Sequence, residues 1–251
     1  MFFKTSHVQD IEAKLSALNK SQAVIEFKLD GTILTANENF LSTLRYRLDE
    51  IQGKNHSLFV ESSFRDSQAY RTFWDELRAG KFQAEQFKRI GKGGKEVWIE
   101  ASYNPILGKD GKPYKVVKFA TDITEQTIKN ADVNGKLAAV NKSQAVIEFT
   151  LDGIILTANE NFLSTLGYRL DEVQGKHHSL FVEPSFVGTQ EYKKFWDDLR
   201  SGIFQAAQYK SIGKGGKEVW IEASYNPILN PNGKPYKVVK FATDISKNIE
   251  Q

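Results

Sequence analysis

The sequence predicts an α+β chain made of two copies of one domain, each running two strands, a helical middle and three further strands. Two observations predict it. The segment from Asn19, NKSQAVIEFKLDGTILTANENFLSTL, returns from Asn141 as NKSQAVIEFTLDGIILTANENFLSTL, an offset of 122 positions. The same offset relates IGKGGKEVWIEASYNPIL at Ile90 and Ile212, and KPYKVVKFATDI at Lys112 and Lys234. That period is too long for a solenoid unit, which buries its face only by stacking on neighbours, so each copy carries its own core. Within a copy, the apolar pattern passes from strand to helix spacing and back.

Taken in order, Ala23 to Phe27 and Thr32 to Thr35 are β-rich runs joined by Leu29-Asp30-Gly31, a hairpin turn whose glycine permits a positive φ. Asn37 or Asn39 caps the next segment, where Phe40, Leu41 and Leu44 recur at helical spacing. A second helix over 67–78 carries Tyr70, Phe73, Trp74 and Leu77 on one stripe, with Gly80 just past its end. Strands over 82–90, 96–107 and 115–123 follow, separated by Gly91-Lys92-Gly93-Gly94-Lys95 and by an Asp110-Gly111 turn, and read as consecutive antiparallel partners. Alternation on the middle one sets Val97, Ile99, Ala101 and Tyr103 toward the core and Trp98, Glu100, Ser102 and Asn104 away from it.

Two further helices lead into the copies. Val8 to Leu18 places Ile11, Leu15 and Leu18 at spacings that suit packing on its own domain or on a partner chain, and Thr124 to Val140 is similar, with Ile128, Val133, Leu137 and Val140. The expected division is an N-terminal helix over 1–18, a first domain over 19–125, a helical linker over 126–140 and a second domain over 141–251.

Composition excludes several classes of function. With 34 Lys+Arg against 31 Asp+Glu, interleaved along the chain, nucleic acid is not an expected partner. Apolar runs are strand-length, far below the roughly 20 residues of a membrane span, and Met1-Phe2-Phe3-Lys4 lacks the apolar core of a secretory signal. A cytoplasmic protein is expected. The absence of cysteine removes disulfides, thiolate nucleophiles, Fe–S clusters and covalent haem attachment.

The stretches DGTILTANENFLSTLRYRLDEIQGK, WDELRAGKF, RIGKGGKEVWIEASYNPI and KVVKFATDIT closely resemble PAS domains of bacterial chemotaxis transducers, particularly soluble transducers of the biofilm-dispersion type. The resemblance covers almost the whole chain. It implies two PAS domains, each a five-stranded antiparallel sheet with helices over one face, joined by a helical linker. It also implies a downstream methyl-accepting signalling domain, which this sequence does not contain, since it stops at Gln251. Asp122-Ile123-Thr124 and Asp244-Ile245-Ser246 resemble the exit motif of signalling PAS domains, where the aspartate ties the last strand to the output helix. A carboxylate there can hold the first backbone N–H groups after the strand, and the plain alternative is a helix cap.

Candidate site residues follow. Gly91 to Glu96 is not a phosphate loop, because the lysine is not followed by Ser or Thr and a strand comes next. His56 and His178 stand near a helix where PAS domains of other types ligate haem, and the preferred alternative is a surface or capping histidine. At the preceding position the first copy has Asn55 where the second has His177, which excludes a shared role there. Trp74 and Trp196 either stack on a flavin, pack a haem edge or fill the core, the last being preferred.

Tyr103 and Tyr225, with Asn37 and Asn159 as polar groups able to meet a flavin edge, complete the candidate pocket. FAD, haem b and no cofactor at all stay open, while the cysteine-dependent light-oxygen-voltage adduct is excluded. Arg89 becomes Ser211 and Glu85 becomes Ala207, changes of charge where a pocket would be lined. Trp98 and Trp220, on the outward face, suit an output helix or a dimer mate. No Ser-His-acid set or metal-ligand spacing is present, so an enzyme is not expected. The expectation is a homodimeric sensor of a redox, oxygen or small-molecule cue that relays it through Asp122, Asp244, Trp98 and Trp220. The alternative is a ligand-free dimerisation module.

Overall fold

The computed structural model describes residues 2–249, with side chains over 7–248; Met1 and Gln251, which bound the expected domains, lie outside the described residues. The chain divides into two compact units, with the boundary between Ala131 and Asp132.

In the first unit, α1 (Phe2–Ser21) precedes β1 (Ala23–Phe27), β2 (Ile33–Ala36), α2 (Glu38–Leu44), α3 (Leu48–Ile51), α4 (Ser62–Arg65) and α5 (Gln68–Arg78). The strands β3 (Gln83–Ile90), β4 (Glu96–Leu107) and β5 (Pro113–Asp122) follow, and α6 (Thr124–Ser143) comes next. The five strands form one antiparallel sheet in the order β2-β1-β5-β4-β3. The chain therefore returns from the last strand to the first to close the middle of the sheet.

Strand alternation decides which side is the core. Val97, Ile99, Ala101 and Tyr103 of β4 are buried, as are Ile25 and Phe27 of β1. The amphipathic α5 covers them with Tyr70, Phe73, Trp74 and Leu77, and Ser67 starts it by accepting a hydrogen bond from Tyr70 N at 3.2 Å. The segment Gly91 to Lys95 is a hairpin connection, closed by Gly91 N donating to Lys95 O at 2.7 Å. Gly91 is required there because a Cβ would stand 2.7 Å from the carbonyl oxygen of Leu44. Three short segments, α3, α4 and a 3₁₀ turn over His56–Phe59, escape periodicity because four residues barely complete one turn.

The leading helices bear on one of the two packings expected of them. Ile11, Leu15 and Leu18 stand exposed, as do Ile128, Val133 and Leu137, and α6 buries no residue. Packing of these stripes on their own domains is thus not what the fold uses.

The second unit repeats the first: β6 (Ala145–Phe149), β7 (Ile155–Ala158), α7 (Glu160–Leu166), α8 (Leu170–Val173), α9 (Pro184–Val187), α10 (Gln190–Arg200), β8 (Gln205–Ile212), β9 (Glu218–Leu229), β10 (Pro235–Asp244) and α11 (Ser246–Ile249). Its sheet order is β7-β6-β10-β9-β8.

Candidate functional site

The buried face between sheet and helix gathers an unusual set of groups. Thr32 and Asn55 form an isolated bridge, and His56 N donates to Gly31 O at 2.8 Å, which turns the His56 imidazole inward. The side chain is fully buried. Its Nδ1 lies 2.9 Å from the Tyr70 hydroxyl on α5, and its Nε2 lies 3.0 Å from the Tyr103 hydroxyl on β4. Phe27 and Trp74 meet the ring edge-on at 5.3 and 5.5 Å, and Phe73 stacks at 6.2 Å. The second unit reproduces this with His178, Tyr192 and Tyr225 at 2.9 and 3.0 Å, inside Phe149, Phe195 and Trp196. A surface or capping histidine, the preferred sequence reading, is overturned: both rings lie in the core.

Two cations enter the first cluster. Arg89 on β3 is 3% exposed; its Nη2 donates to the Tyr103 hydroxyl at 3.1 Å and its Nη1 to the Lys88 carbonyl at 2.8 Å. Its Nε has no partner among the described residues. The guanidinium carbon sits 4.5 Å from the centre of the Phe87 ring, a cation–π contact worth about 2 kcal/mol when desolvated. Lys118 on β5 stands opposite Ile25 and Tyr103 in the register and is fully buried. Its Nζ, likewise unpartnered, lies 4.8 Å from the Tyr103 ring centre and 5.6 Å from that of Phe40. No carboxylate pairs with Arg89 or Lys118 among the described residues.

Titration follows from this burial. Desolvation, with Arg89 and then Lys118 adding repulsion, drives the His56 imidazole well below its usual range, so it is neutral. Burial, then Arg89, does the same to the Lys118 ammonium. A lysine can relieve an unpaired buried charge by losing its proton, whereas a guanidinium keeps its charge in proteins. An uncompensated buried ion costs several kcal/mol.

The second unit differs in its charge, and Tyr209 stands there where the first unit has Phe87. Ser211, 4% exposed, replaces Arg89, so only Lys240 remains, 4.8 Å from the Tyr225 ring centre. Burial alone brings its ammonium down to about 7. Glu85 and Ala207 do not reach this cluster: both are exposed, opposite Ala101 and Ala223 in the register, on the same strand face as Arg89 and Ser211 but beyond the cluster.

The other candidate residues separate into two groups. His56, Trp74 and Tyr103, with His178, Trp196 and Tyr225, come together in the clusters. Asn37 does not join them: its Oδ1 accepts from Phe40 N at 3.0 Å and Val24 N at 2.9 Å, and its Nδ2 donates to Gln22 O at 2.8 Å, so it caps α2. Asn159 does the same for α7.

The two cofactors left open by the sequence do not fit this arrangement. Both nitrogens of His56 and His178 are hydrogen-bonded to tyrosines, which leaves none for haem iron. The rings of Phe27, Phe73, Trp74 and Tyr103, with centroids 4.9 to 6.4 Å apart, fill the space a flavin ring would take. Sequence reasoning missed Lys118 and Lys240. In KVVKFATDI both alternating faces are largely apolar, so period two does not say which one the lysine joins.

The exit motif ties backbone amides to side-chain and backbone oxygens. Asp122 Oδ1 accepts from Thr124 N at 2.9 Å, Ile123 N donates to Trp98 O at 2.9 Å, and Trp98 N donates to Thr124 Oγ1 at 2.9 Å. Asp244, Ile245, Ser246 and Trp220 repeat it at 2.9, 2.9 and 3.0 Å. Trp98 and Trp220 themselves are half-buried.

Comparison with known proteins gives a consistent result. A family model described as PAS domain matches residues 21–125, and one described as PAS fold matches 155–242. Biofilm dispersion protein BdlA of Pseudomonas aeruginosa is 42% identical over 94% of this chain, which spans 57% of that relative's length. Among solved structures, the PAS domain of a Colwellia psychrerythraea protein aligns at 16% identity and a TM-score of 0.41, over 46% of this chain and 98% of that one. A light-oxygen-voltage domain studied with a flavin analogue aligns at 18% identity and a TM-score of 0.41, over 50% and 96%. No described helix is long and apolar enough to cross a membrane, and the described residues contain no cluster of three or more potential metal ligands.

Proposed function

The chain belongs to the PAS family, with two such domains in tandem, and from that premise we propose that it is the sensory input module of a cytoplasmic, homodimeric chemotaxis-type transducer. It senses a small-molecule cue in the domain core and performs no catalysis. The observation that carries this reading is the double use of β4. On its inner face Tyr103 joins His56 and Arg89, while five residues away the Trp98 backbone holds Ile123 and Thr124 at the start of α6. A change in the core that displaces β4 therefore reaches the linker helix through two hydrogen bonds. A cue acts only as far as it binds one packing of this strand better than the other.

A ligand-free dimerisation module is the second reading, favoured by the ring-filled cores and by the exposed Ile11, Leu15 and Leu18 on α1. The test is to place the chain ahead of a methyl-accepting signalling domain and read receptor-coupled kinase output. Asp122→Ala and Thr124→Ala are expected to abolish modulation while the sheet stays folded; wild-type modulation in both variants would remove the sensory reading.

A further inference from the structure

The first domain holds a permanent positive charge in its core with nothing to balance it. Arg89 reaches inward from β3 with Nε unpartnered, Lys118 reaches the same region from β5 with Nζ unpartnered, and both approach Tyr103. Everything else packed there is neutral: His56 from the 3₁₀ turn, Tyr70, Phe73 and Trp74 from α5, Phe27 from β1. A guanidinium kept dry needs an anion, and its planar fork matches a carboxylate in two parallel hydrogen bonds. The rings that fill this core would repack around an apolar body attached to that head.

We infer that the core of the first domain binds a small organic carboxylate with an apolar body, its head held by Arg89 and Lys118, and that the second domain does not. The second domain has Ser211 in place of Arg89 and keeps only a lysine that can neutralise itself. Binding draws the Arg89 fork toward the carboxylate and loosens its bond to Tyr103, the residue on β4 that the sensory reading uses. The inference thus rests on that reading for its consequence, though not for the binding itself.

Calorimetric titration of the purified 251-residue chain with benzoate, hexanoate and inorganic phosphate tests it, in the wild type, in Arg89→Ser and in Ser211→Arg. Arg89→Ser copies the solution the second domain already uses, so it is expected to fold, and circular dichroism checks that it does. The expected result is one carboxylate bound per chain, an affinity about tenfold or more weaker in Arg89→Ser, as for a lost charged hydrogen bond, and a second site gained in Ser211→Arg. Binding of phosphate alone, binding indifferent to Arg89→Ser, or no anion bound at all would overturn it. Because this assay reads binding in the isolated chain, its failure is separate from failure of the kinase-output test.

Discussion

The Tyr103 hydroxyl lies 3.0 Å from Nε2 of His56 and 3.1 Å from Nη2 of Arg89. Since a guanidinium only donates, Tyr103 accepts from Arg89 and sends its own proton to His56. That network assigns the proton of the neutral imidazole to Nδ1, which donates to Tyr70 at 2.9 Å. In the second domain, without the arginine, nothing fixes the direction between Tyr225 and His178. Two copies with nearly the same sequence thus hold their central histidine under different constraints.

Tyr103→Phe is expected to destabilise its domain more than Tyr225→Phe destabilises the other. The first leaves Arg89 Nη2 and His56 Nε2 without their partner, the second only His178 Nε2, and each buried polar group left unsatisfied costs about 1–3 kcal/mol. Native-state hydrogen exchange on the amides of β4 and β9 separates the two domains. Equal losses would show that Arg89 draws nothing from the tyrosine.

The second domain is expected to gain stability as pH rises from about 7 toward 10. Lys240 titrates near 7 when folded and near 10.5 when free, so within that window the unfolded chain binds the extra proton. The slope is at most about 1.4 kcal/mol per pH unit. His178, held well below its usual range by burial and then by Lys240, adds a rise on the acid side, while Tyr225, raised well above 10 by burial, reverses the trend only beyond the window. Lys240→Met is expected to flatten the profile between pH 7 and 10, as denaturant titration of the two proteins would reveal.

Asp122→Ala removes the acceptor for Thr124 N at the start of α6, a cap worth about 1 kcal/mol. Hydrogen exchange over 123–127 is expected to quicken while β1 and β5 keep their protection. Unchanged exchange in that stretch would mean that the Trp98 clamp alone holds the helix start.

Trp98→Ala and Trp220→Ala are expected to weaken self-association, because a half-buried indole on the outer sheet face offers apolar area to a partner. Sedimentation velocity across a range of concentrations is the check, and identical profiles in wild type and both variants would place the dimer contact elsewhere.

Local chemistry made much of the fold legible in the sequence. The 122-residue repeat, the Leu29-Asp30-Gly31 turn, the stripe of Tyr70, Phe73, Trp74 and Leu77, and the alternation of Val97 to Tyr103 each depend on neighbours a few residues apart, and each element lies within a few residues of where the spacing puts it. What only the tertiary structure decided is the site. His56 is buried because an inward turn places it under α5, and Asn37 is a cap because β1 supplies Val24 N beside it. Lys118 faces the core because β5 pairs with β1 across about ninety residues of chain, fixing which of two equally apolar faces turns inward. Nor can one strand's sequence reveal that Arg89 lacks a carboxylate. The partner of a charge is set by which strands meet, and that meeting is a property of the sheet.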